Sequence, residues 1–73
     1  MDFTEEQVNA LTLSGSADAI SLINRLLAKE SLTETEQQRL DRNVAFLNLL
    51  VAKDCYTSEE LQPLRDAIAA TES

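Results

Sequence analysis

Leu32-Thr33-Glu34-Thr35-Glu36 decides how this chain folds. A bulky apolar residue precedes a Thr, and a Glu follows three positions after it. At a helix start the Thr hydroxyl accepts from the backbone N–H three residues on, and the Glu side chain reaches back to the Thr N–H. The preceding apolar side chain can staple onto the first turn. The same chemistry recurs upstream in Phe3-Thr4-Glu5-Glu6-Gln7 and downstream in Tyr56-Thr57-Ser58-Glu59-Glu60. Three helix starts are thereby specified, which predicts an all-α chain.

Between these starts, apolar spacing predicts the remaining boundaries. A first helix is expected over Glu5–Leu13, with Phe3 stapling onto Val8 and Leu11 further along the same side. Ser14-Gly15-Ser16 reads as a break, with Gly15 at a left-handed C′ position and Ser16 as the next cap. A second helix is expected over Ala17–Lys29, where Ile20, Ile23 and Leu27 form a row flanked by Leu22 and Leu26. The third, over Glu34–Lys53, is expected to be the longest. Its first half has Leu40 as its one large apolar residue; from Val44 to Ala52 everything but Asn48 is apolar. A helix that is apolar all round is expected to be buried all round. A fourth helix is expected over Thr57–Ala70, with Leu61, Leu64 and Ile68 as its buried stripe. Pro63 either lies inside that helix, removing one backbone hydrogen bond, or starts it after a separate turn. Short connections then predict an up-and-down bundle of about four helices in one domain, 1–73.

The 73 residues carry 13 acids against six bases, a formal charge of −7. Glu5, Glu6, Asp18, Glu34, Glu36, Glu59 and Glu60 fall in expected first turns, where each favours the helix dipole by about 0.3–1 kcal/mol. The excess repels phosphate backbones, so direct nucleic-acid binding is not expected. Carboxylates gathered at helix starts and interrupted by Arg25, Arg39, Arg42 and Arg65 also make a poor imitation of DNA. The most apolar window is nine residues, against about 20 for a membrane span. With no basic segment at Met1-Asp2-Phe3 and one cysteine, the expectation is a soluble, cytoplasmic chain.

No chemistry of catalysis is legible. There is no His and a single Gly, which removes the commonest general base and any glycine-rich phosphate loop. One Cys without His cannot make a zinc site, and no calcium-loop pattern is present. Cys55 follows Asp54 at the C-terminal end of a helix, where charge and dipole both disfavour a thiolate; it is expected to tuck beneath a turn. The expectations are therefore no enzyme activity, no cofactor and no metal.

Glu30-Ser31-Leu32 invites comparison with the Asp-Ser-Leu motif of acyl carrier proteins. It departs at the acid, and Thr33 to Arg39 lack the apolar stripe of the carrier helix, so the comparison is rejected. In the second half, Arg42-Asn43-Val44, Leu49-Leu50-Val51-Ala52-Lys53-Asp54 and Leu61-Gln62-Pro63-Leu64 with Ala67-Ile68 resemble short, uncharacterised helical proteins of tailed phages. That resemblance carries no functional motif; a virion-associated location is expected if the chain is phage-derived.

Two readings of function remain open. In the first, the apolar half of the third helix makes the chain self-associate, with Phe46, Leu49, Leu50 and Val51 as the homo-oligomer interface. In the second, the polar half binds another protein through Gln38, Arg39 and Arg42. The two arginines lie three apart and share a face suited to a carboxylate-bearing partner. The bland alternative is a solvated face with Glu36 paired to Arg39.

Overall fold

The computed structural model describes residues 2–72. Among them are three helices, α1 (Glu5–Leu27), α2 (Glu34–Val51) and α3 (Ser58–Glu72), and no strand. All three capping motifs form. The Thr4, Thr33 and Thr57 hydroxyls each accept from the N–H three residues on, at 3.1 Å. Gln7, Glu36 and Glu60 return the bond to the threonine N–H at 2.9–3.0 Å. Acids fill the first turns as expected at Glu5, Glu6, Glu34, Glu36, Glu59 and Glu60.

The expected break at Ser14-Gly15-Ser16 is absent. The expected helices Glu5–Leu13 and Ala17–Lys29 are one helix of 23 residues, about 34 Å long. Neither Gly15 nor any other described residue has a positive φ, so Gly15 makes no C′ turn. Ser16 caps nothing: it is buried, and its hydroxyl donates to the Leu13 carbonyl one turn back. Asp18 consequently lies mid-helix instead of in a first turn. Tertiary packing explains the continuity. Asn9, Thr12, Ser16, Ala19, Ile23 and Leu26, spaced three and four apart, are all buried or half-buried, so one packed stripe crosses the glycine. Gly costs only about 1 kcal/mol in a helix interior, less than the row beyond it contributes on burial at about 1.5–3 kcal/mol per large side chain.

Helix α2 ends at Val51 with Ala52 as its cap, two residues short of the expected Lys53. Helix α3 begins immediately after Thr57, and the Leu61 N–H bonds the Thr57 carbonyl at 3.1 Å. Pro63 therefore lies inside the helix, in its second turn. With no N–H at that position, the carbonyl four residues earlier receives no donor from it.

Each helix gives three residues to one shared core: Ala19, Ile23 and Leu26; Leu40, Leu47 and Leu50; Leu61, Leu64 and Ala67. Ile23, Leu47, Leu50 and Leu64 are fully buried. Antiparallel packing of α1 on α2 follows from two links at different levels, Gly15 beside Phe46 and Lys29 paired with Glu36. The Tyr56 hydroxyl donates to the Asn9 carbonyl at 2.8 Å, tying the α2–α3 connection to the start of α1. The result is an up-and-down bundle of three helices, with α1 and α3 parallel.

Candidate interaction surface

Helix α2 has three kinds of surface. At 100° per residue, Leu40, Leu47 and Leu50 point into the core, with Val44 and Val51 half-buried beside them. One flank, carrying Phe46, faces α1. The side opposite the core carries Gln38, Arg42, Ala45, Leu49 and Ala52. The apolar segment Val44–Ala52 is therefore not buried all round. Ala45 and Ala52 are exposed, and Leu49 is 67% exposed.

The residues expected to form one interface separate accordingly. Leu50, at 1% exposure, belongs to the core; Phe46 and Val51 are half-buried and packed against it; Leu49 stands in solvent.

The exposed apolar surface extends beyond the residues expected from sequence. On α1, Val8 is 48% and Leu11 59% exposed, and Phe3 before the helix is 66% exposed. The expected staple of Phe3 onto Val8, with Leu11 further along the same side, leaves all three side chains exposed. The continuous α1 register is the reason. A stripe through Asn9, Thr12 and Ser16 turns Val8, Leu11 and Gly15 toward the α2 flank and away from α3. A continuous three-and-four spacing across Gly15 was the signal for this, hidden because the stripe there consists of small and polar residues.

Counting in turns from the Gly15–Phe46 contact places the two helices level by level. One turn toward the start of α1 is Leu11, and the matching turn along antiparallel α2 is Leu49. One turn the other way gives Asp18 on α1 and Arg42 on α2. This face thus has an apolar end, a glycine and an aromatic ring in the middle, and a charged end.

Gln38, Arg39 and Arg42 are all exposed. Glu36 does not pair with Arg39: its carboxylate binds Lys29, which follows the end of α1. The Lys29 ammonium, helped by the Thr33 N–H, holds the Glu36 carboxyl down to about 2. Beside Arg39, the Asn43 amide donates to the Arg39 carbonyl at 2.8 Å, a bond within the helix.

Two other features sit elsewhere. An open cleft of about 730 Å³ lies between the first half of α1 and the α2–α3 connection with the start of α3, lined by Glu5, Asn9, Leu13, Cys55, Tyr56 and Glu60 among others. Burial, then the neighbouring Cys55, raises the Tyr56 phenol above its usual value. Cys55 is exposed and not tucked beneath a turn. Among the described residues no group of three or more His, Cys, Asp or Glu is placed to hold a metal, and no helix is long and apolar enough to cross a membrane.

No protein-family model matches the chain, and neither a curated protein nor a solved structure matches it.

Proposed function

We propose that this chain is a non-enzymatic protein-interaction module that associates with copies of itself through the α1–α2 face, in an assembly or accessory role. The carrying observation is Leu49: a large apolar side chain on the outer side of a helix, 67% exposed. Leu11 and Val8 on the neighbouring helix are exposed as well, at 59% and 48%. Isolated exposed leucines are ordinary, but several on one face mark a contact surface. Each helix contributes only three core residues, and a domain this small gains stability by association.

Leu49→Glu tests the reading. The variant is expected to keep its helical circular dichroism and to run as a monomer where the wild type runs as a larger species. A folded variant with unchanged mass would contradict it.

A second reading is supported by the Lys29–Glu36 pair. Because Glu36 is engaged with Lys29, Arg39 and Arg42 present guanidinium groups on an exposed helix face, suited to an acidic protein partner. Losing partner capture in an Arg39→Ala, Arg42→Ala double variant of unchanged helicity would favour this reading; unchanged capture would oppose it.

A further inference from the structure

We propose that two copies meet face to face along parallel two-fold-related bundles, each α1 lying on the partner's α2, with Asp18 of one copy opposite Arg42 of the partner subunit. This deepens the self-association reading and rests on it.

The two helices complement a second copy level by level. The face holds three paired levels: Leu11 with Leu49, Gly15 with Phe46, and Asp18 with Arg42. The middle level is fixed by Phe46, whose Cζ lies 3.9 Å from where a Cβ added to Gly15 would stand. A two-fold axis running along the helices exchanges α1 and α2 without changing level. Leu11 then meets the partner's Leu49, beside the level that each chain's own Gly15 and Phe46 fill. Asp18 meets the partner's Arg42, and the pair occurs twice. An axis running across the helices keeps α1 on α1 and inverts the levels. It would set Leu11 over an aspartate and Leu49 over an arginine, burying charge against hydrocarbon. Apolar and charged groups therefore both select the first arrangement. Charges at such a face serve mainly to fix register and exclude the alternative.

Charge reversal with mixing tests this. Asp18 and Arg42 are both exposed on helix surfaces, so Asp18→Lys and Arg42→Glu should fold. At low ionic strength each variant alone is expected to dimerise about tenfold more weakly, since both of its cross-copy pairs become repulsive. An equimolar mixture is expected to recover wild-type affinity as a heterodimer. One contact then pairs the introduced Lys with the introduced Glu, and the other retains the native Asp and Arg. The double variant is expected to recover as well.

Mixing separates contacts between copies from contacts within one copy, because each variant stays mismatched internally. If the wild type dimerises but the reversals have no effect, or mixing restores nothing, the register is wrong and self-association stands. A wild type that stays monomeric overturns both.

Discussion

Gly15 lies level with Phe46, close enough that a Cβ on the glycine would sit 3.9 Å from Cζ of the ring. That is ordinary van der Waals distance, and the glycine is in a helix interior with no positive φ. Gly15→Ala should therefore stabilise the fold by about 0.5–1 kcal/mol, through reduced backbone freedom in the unfolded chain and added contact with Phe46. Chemical denaturation checks it. A destabilised variant would mean that the backbone there is not helical.

This position also shows where the sequence was legible and where it was not. Thr4, Thr33 and Thr57 declare their helix starts because a capping box is purely local chemistry. Ser14-Gly15-Ser16 is equally a local stop signal, and it loses. Ser16 finds its hydrogen-bond partner at Leu13 and a buried place in the stripe, which only the packed bundle supplies. Reading the helix as broken there also misplaced Val8 and Leu11, since their outward direction follows from the continuous register. For α2, the all-round apolar pattern of Val44–Ala52 predicts burial on every side, whereas Ala45, Leu49 and Ala52 are exposed. It could not tell core Leu50 from exposed Leu49, which differ by one 100° step.

The Tyr56–Asn9 bond ties residues 47 apart in the chain. Tyr56→Phe keeps the ring and removes the donor, so it should destabilise by about 0.5–1.5 kcal/mol. Thermal unfolding of the two proteins side by side checks it; equal stability would mean the hydroxyl is bonded as well by water.

Thr33→Ala removes one half of the capping box that starts α2 and should cost about 1 kcal/mol. Thr33→Ser should retain most of that. The α2 box matters because Glu36 serves both the cap and Lys29. A fall in helical signal or in denaturation midpoint for the alanine variant alone is the expected result.

The Lys29–Glu36 link predicts an acid dependence. Glu36 has its folded pKa lowered from 4.5 to about 2. Its contribution is therefore fully present above the unfolded pKa and is lost as pH falls through about 4.5 toward 2. Because the pair lies at the surface, added salt should diminish it. Comparing acid unfolding of the wild type and Glu36→Gln checks this: the difference should shrink as pH falls across that window.

Leu50→Ala and Leu49→Ala separate core from face. The first should cost about 2–5 kcal/mol in stability. The second should leave the unfolding of dilute protein nearly unchanged while weakening association. Equal effects on folding would mean that Leu49 is covered within one chain.

The central claim is that the Leu11–Leu49 face is closed by a second copy. Absolute mass by light scattering on a sizing column, from micromolar to millimolar concentration, tests it most directly. The account predicts a species of twice the 8.1 kDa chain mass that dissociates on dilution and is lost in Leu49→Glu. A monomer at every concentration would contradict it.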